Sequence, residues 1–207
     1  MKTSSSLSVR ENRAFTLVEL LVVIVIISVL AGFLVPQLIR IIGEGHDLKT
    51  RAVAIELKNG IQAFQADYGR FPVDSASATD ADAVLVTDGS TTVVDSLMGL
   101  PASAGSQELN PRATRFSEFP PAKGNYSGVL TGTRPYALHD YWGRPFQVIL
   151  DTNGDHQVEN PDAKSSDPKV SMPGGKPVGA FLPLEVIVFS AGRDGVPHTA
   201  DDVVSWR

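Results

Sequence analysis

The distribution of apolar and polar positions changes character twice along the chain. From Leu20 to Val35 the run LLVVIVIISVLAGFLV is apolar on every side of any helix it could form. A helix rises about 1.5 Å per residue and a bilayer core is about 30 Å thick, so roughly 20 apolar residues span it. Phe15 to Val35 is long enough. Between Leu17 and Val35 stand fifteen Leu, Ile, Val or Phe residues, contributing together roughly -4 to -9 kcal/mol on an insertion scale. One acid, Glu19, interrupts this segment at a cost of about 2.5 to 3.5 kcal/mol, so the segment inserts despite it. An acid there has three readings: it snorkels to the membrane surface, it favours a helix N-terminus, or it meets a cation in a neighbouring subunit.

Further on, the pattern becomes amphipathic. Val53, Leu57, Ile61, Phe64 and Tyr68 recur at helical spacing with Arg51, Glu56, Lys58, Asn59, Gln62, Gln65 and Asp67 between them, which predicts a second half-helix docked by one stripe on a soluble domain. Gly69 and Phe71-Pro72 predict its end. Pro36, with Gly43 and Gly45, predicts a bend around 36–45, because proline removes a backbone donor and glycine weakens a helix. From 73 to 134 the chain is rich in Ser, Thr, Asp, Gly, Ala and Pro. Ala83–Val86 and Val93–Leu100 are short helix or strand candidates there, and much of the rest reads as loop. Strand candidates return at Gln147–Leu150, Glu185–Phe189 and Val203–Trp206.

The 207 residues allow one anchor and one modest domain. A net charge of -5 with scattered basic residues offers no stripe to follow a phosphate backbone, so nucleic acid is not an expected partner. The absence of cysteine excludes disulfides, thiolate metal sites and a cysteine nucleophile. No nucleophile elbow, His-Glu-x-x-His or phosphate loop occurs, and the four histidines are dispersed; the chain does not read as an enzyme. Residues 1–14, MKTSSSLSVRENRA, carry Lys2, Arg10 and Arg13 against one acid, and read as a basic leader on the cytoplasmic side. A secretory signal is the alternative, but its apolar region is about 7 to 15 residues long and ends in a small-x-small site.

Ala14-Phe15-Thr16-Leu17-Val18-Glu19-Leu20, following that leader, closely resembles the processing and methylation motif of type IV pilins and type II secretion pseudopilins. The resemblance implies that a prepilin peptidase cuts between Ala14 and Phe15 and methylates the new Phe15 amine. It also implies that Glu19 pairs with the Phe15 amine of an adjacent subunit during assembly, and that Pro36 is the helix proline common at this offset. Ala14 departs from the glycine usual before the cut. Tyr141-Trp142-Gly143-Arg144-Pro145 resembles the turn that leads into the small antiparallel sheet of the major secretion pseudopilin, so the likeness covers 14–72 and 141–204.

The expected fold is α+β and pilin-like: a long N-terminal helix, transmembrane in its first half and amphipathic in its second, packed on a small antiparallel sheet. The expected organisation is a leader at 1–14, the helix at 15–69 with its span at about 15–36, and a periplasmic head at 70–207 divided into a variable loop region, 73–134, and a C-terminal sheet and loop, 141–207. The implied function is a subunit of a helical filament, stored in the bacterial inner membrane. Its expected partners are copies of itself, other pseudopilins, the assembly platform and the prepilin peptidase. The alternatives are a type IV pilus subunit, which commonly uses a disulfide impossible here, and an anchored periplasmic domain that never polymerises.

Two loops have calcium-compatible composition. Ser190–Asp202 gathers carboxylates and a hydroxyl around Gly192 and Gly195, the hard oxygen donors calcium takes and zinc does not favour. The residues alone equally describe a polar turn; the resemblance implies calcium at Asp194, Asp201 and Asp202, with Thr199. Asp151-Thr152-Asn153-Gly154-Asp155-His156, with Asp162 at the twelfth place, matches an EF-hand loop at Asp151, Asn153 and Asp155 but has His156 where glycine is required. Asn153-Gly154 also reads as a tight hairpin turn.

Overall fold

The computed structural model describes residues 16–74, 81–101, 109–124, 126–132 and 134–207, with the backbone alone at 36 and 38–42. Ala14 and Phe15 lie outside the described residues. The chain divides into two compact units at the Glu44–Gly45 boundary. Helix α1, Leu17–Tyr68, belongs to both, and its backbone is helical throughout, Pro36, Gly43 and Gly45 included.

In the first unit every described side chain from Leu17 to Val35 is exposed, from about half for Val23 to four-fifths for Leu17. This segment is rich in β-branched residues, which are weak helix formers in water. Inside a bilayer only a helix satisfies every backbone group within the segment. Ser28 is accommodated in the same way, its hydroxyl donating to the Ile24 carbonyl at 2.6 Å.

In the second unit the stripe read from the sequence becomes core. Ala54, Leu57, Ile61 and Phe64 are fully buried, and Val53 and Tyr68 pack at the margin. Gly60 is needed for close approach, since a Cβ there would lie 1.9 Å from Ser117 Oγ. The helix stops at Gly69, whose N–H reaches the Gln65 carbonyl at 2.8 Å with φ at +67°, a left-handed cap that glycine adopts without strain.

The main sheet is antiparallel. Its strands are β1 (Ala83–Val86), β4 (Gln147–Leu150), β7 (Val186–Ser190) and β8 (Val203–Val204), in the order β1-β4-β7-β8. Register pairs Ala83 with Leu150, Val148 with Val188, and Phe189 with Val204. Successive side chains alternate between faces. Val148, Leu150, Val186 and Val188 join the core that contains the α1 stripe, while Ile149, Ile187, Phe189 and Val204 join a second cluster with Val158, Leu182, Leu184 and Trp206. Two short pairs complete the described strands: β2 (Gly128–Leu130) with β3 (Ala137–His139), and β5 (Val158–Glu159) with β6 (Phe181–Leu182). The fold is therefore α+β and pilin-like in plan.

Region 73–134 is more ordered than its composition suggests. Ala83–Val86 is a strand of the main sheet, and Val93–Leu97 is helix α2, burying Val93, Val94 and Leu97 in the main core. The buried Asp95 carboxylate accepts from Arg134 Nε and Nη2 at 3.0 and 2.8 Å and from the Tyr136 N–H at 3.0 Å. Asn110 spans the chain in the same way: its Nδ2 donates to the carbonyls of Ser96 and Thr114, and its Oδ1 accepts from the Tyr68 hydroxyl at 2.6 Å. Loops buried like this need such side chains to satisfy their backbone.

Candidate functional site

At the start of α1, Thr16 and Glu19 satisfy each other reciprocally. The Thr16 N–H and hydroxyl donate to Glu19 Oε2 at 2.8 and 2.7 Å, and the Glu19 N–H donates to Thr16 Oγ1 at 3.2 Å. This is a capping box, in which the N-cap threonine and the glutamate three residues on quench two otherwise unpaired helix donors. Glu19 thus has a local task at the helix start. Pro36 lies within the helical backbone, and its side chain is outside what the structure describes. Leu17–Val35, directly after the cap, is long and apolar enough to cross a membrane.

The C-terminal loop between β7 and β8 brings the four predicted residues onto one point. Thr199 Oγ1 lies 2.7 Å from Asp201 Oδ1, 3.2 Å from Asp202 Oδ1 and 3.4 Å from Asp194 Oδ2, and 3.1 Å from the Val196 carbonyl. A hydroxyl has one proton for these four acceptors. The outer carboxylate oxygens organise the backbone: Asp201 Oδ2 accepts from the Asp194 N–H, Asp194 Oδ1 from Val196 and Asp202 Oδ2 from His198. Gly192, φ +59°, is required by crowding, since a Cβ would lie 2.3 Å from the Asp201 carbonyl oxygen. Burial raises the Asp202 carboxyl above its ordinary value. Burial pushes Asp201 the same way, but bonds from the Thr199 hydroxyl and the Asp194 N–H outweigh it and hold Asp201 lower. Hard oxygen donors, several of them anionic, suit calcium.

The second acidic loop is built differently from either sequence reading. It is not a two-strand hairpin, because the strand after it, β5, pairs with β6 rather than β4. Asp151, nearly buried, accepts from the N–H groups of Gly154, Asp155 and His156 at 2.7, 3.2 and 2.8 Å. Asn153 Oδ1 accepts from Asp155 N–H, and Asp155 Oδ1 from Gln157 N–H. His156 stands in the left-handed region at φ +61°, the conformation for which an EF-hand uses glycine. Asp162 is engaged elsewhere, 3.2 Å from Trp206 Nε1 and 3.3 Å from Arg207 Nε.

In its place comes Asp82, which sequence reading missed. Asp82, Asp151 and Asp155 each bring a carboxylate oxygen within 4.8 Å of the others. Desolvation raises the Asp82 carboxyl, and the neighbouring charges of Asp155 and Asp151 add to it against a backbone bond from Glu159. The signal was indirect: Asp82 precedes β1, and pairing of Ala83 with Leu150 sets it beside Asp151.

The comparisons with known proteins agree with the N-terminal reading. Residues 9–35 match the family model of the prokaryotic N-terminal methylation motif. The chain is 24% identical to a type II secretion system core protein G of Klebsiella pneumoniae, over 95% of this chain and 96% of that protein. It is 25% identical to the protein of the same description from Aeromonas hydrophila, over 96% and 94%, and 24% identical to that of Dickeya chrysanthemi, over 96% and 88%. No solved structure matches the chain. The resemblance to type IV pilin-like proteins and secretion pseudopilins is borne out, and it includes the middle region that the sequence motifs left unmatched. In keeping with that resemblance, the chain is not an enzyme.

Proposed function

We propose that this pseudopilin-like chain is a filament subunit of a type II secretion system, anchored once in the inner membrane with its head in the periplasm and assembled into a short pseudopilus that helps drive export. The observation that carries the reading is the capping box at Thr16 and Glu19 opening directly onto Leu17–Val35, apolar and exposed on all sides. An apolar helix with no burying partner among the described residues needs lipid or other copies around it. On this reading a prepilin peptidase cuts between Ala14 and Phe15, and the freed Phe15 amine of one subunit meets Glu19 of the next. The assembly platform and other pseudopilins are the partners this implies.

Glu19 now has two tasks that a single pair of variants separates. Glu19→Gln keeps a capping box, which accepts glutamine, but loses the charge; Glu19→Val loses both. Crosslinking between subunits through thiols placed near the N-terminus is the measurement, with mass spectrometry of the mature N-terminus for methylated Phe15. The expected result is a methylated Phe15 in all three proteins and at least a tenfold loss of crosslinking in both variants, roughly the effect of removing a desolvated charge partner. Glutamine assembling as well as wild type would leave capping as the only role of Glu19. An unprocessed protein beginning at Met1 and never crosslinking would defeat the filament reading itself.

The head, on the same reading, takes up calcium. Asp194, Asp201 and Asp202 with Thr199 offer one donor set, and Asp82, Asp151 and Asp155 a second. Calcium would offset the mutual repulsion of these carboxylates and tie each loop to the sheet. A ligand bound by the native state alone stabilises it by mass action.

A further inference from the structure

The second unit is electrically polar along its sheet. Register sets Leu150 beside Ala83 and Val186, so Asp82, Asp151 and Glu185 emerge at one end; Gln147 lies beside Phe189 and Val86, so Arg144 and Arg193 emerge at the other. The two ends follow α1 as well. Glu185 lines a shallow depression with Gln65 and Gly69, whereas Arg144 and Arg193 line a groove with Lys49 and Val53. Lys49 and Gln65 are roughly 24 Å apart along a helix.

The cationic end is a socket. The groove holds about 860 Å³ and is floored by Pro120, Pro121, Tyr126, Tyr141 and Trp142. Lys49, Lys123, Arg144 and Arg193 line it; among the described residues no carboxylate does, and none of the four forms an ion pair. The Arg144 guanidinium packs against Gly195, where a Cβ would come within 2.3 Å of its Cζ. Aromatic walls with cationic rims suit an apolar side chain flanked by acids.

The acidic end presents such a side chain. Phe181 is 56% exposed and pairs across β5–β6 with Glu159, whose N–H donates to Asp82. Glu159 and Glu185 have local partners in Lys164 and His156. Asp82, Asp151 and Asp155 accept from backbone N–H groups and face no cation among the described residues, so this end carries its full negative charge when calcium is off them.

We infer that the groove lined by Lys49, Lys123, Arg144 and Arg193 in one copy receives the Phe181-bearing acidic end of a second copy. This rests on the filament reading and specifies its head contact. The two surfaces are different patches at opposite ends of the sheet, so the contact is heterologous and propagates as a helix when the rotation does not close.

The chain has no cysteine, so introduced thiols are the only ones. Tyr126→Cys and Ala180→Cys replace exposed side chains at the two ends, the second beside Phe181 without removing it. Full-length proteins carrying one each are co-expressed, and membranes are treated with a short bismaleimide in the presence of a calcium chelator. Leu17→Cys with Leu21→Cys reports helix-to-helix contact separately. Dimers through thiols at positions 126 and 180, and a ladder when both thiols are in one chain, are the expected result. Lys123→Glu with Arg193→Glu is expected to cut the yield at least ~5-fold, and adding Asp155→Lys with Glu159→Lys to the opposing copy to restore it to within ~2-fold. Helix crosslinks without head crosslinks would overturn the groove contact while leaving the filament reading standing. The absence of both would overturn both. Head crosslinks unaffected by charge reversal would overturn the electrostatic basis proposed for the docking.

Discussion

Leu17–Val35 and Val53–Tyr68 lie in one helix, yet the first carries its apolar side chains on every side and the second confines them to one stripe. The stripe is matched within the chain by Phe146, Val148, Leu150, Val186 and Val188, and it disappears into a closed core. The all-round surface is matched by nothing among the described residues of its own unit. One kind of patterning encodes folding and the other, on the proposed reading, location and association. Damage to the two should therefore show up in different experiments.

The largest expected effect is on the stripe. Phe64→Ala should destabilise the head by about 3 to 5 kcal/mol, the usual cost of emptying a filled aromatic site, read as a lowered denaturant midpoint. Val25→Ala, in the all-round segment, should leave that midpoint where it is. If Val25→Ala also unfolds the head, the two stretches are not independent. Next in size is the chelator effect: removing calcium at saturating concentration should lower the head's melting temperature by several degrees, since about 2.7 kcal/mol is available at a hundredfold excess over Kd. Asp194→Ala and Asp155→Ala should each remove part of that response without affecting membrane insertion. An identical melt with and without chelator would remove calcium from the head's account.

The smallest effect is a pH term. A hydroxyl and an N–H of Ser90 hold the Asp88 carboxyl below its ordinary value of 3.8. A carboxyl lowered by folding adds stability above its unfolded value and loses it as pH falls through the folded one. Asp88→Asn should therefore cost the head slightly at pH 7 and nothing well below pH 3.8, as thermal melts at the two pH values would reveal. A cost that persists in acid would assign the effect to lost packing instead of charge.

These differences also explain what the sequence made visible. Five stripe positions over four turns of helix carry a clear period, and Gln147–Leu150 and Val186–Ser190 are apolar runs with strand-forming residues, so both were legible. Ala83–Val86 is too short to show a period, and its role as a main-sheet strand depends on pairing with a strand far along the chain. Asp82 was hidden for the same reason. The Thr-x-x-Glu spacing at Thr16 and Glu19 was in plain view, and a helix N-terminus was one reading of the acid, but taking Glu19 without Thr16 passed over their reciprocal cap. The Asp194–Asp202 residues could be grouped because they share one loop, whereas their convergence on Thr199 depends on turns that composition does not fix.

The main sheet ends on β1, four residues long, and on β8, only two. Rims this short make poor templates for indiscriminate backbone pairing, the route by which crowded β proteins fuse into amyloid. On the proposed filament reading the chain meets that hazard at high local density, and short rims leave the choice of neighbour to side chains.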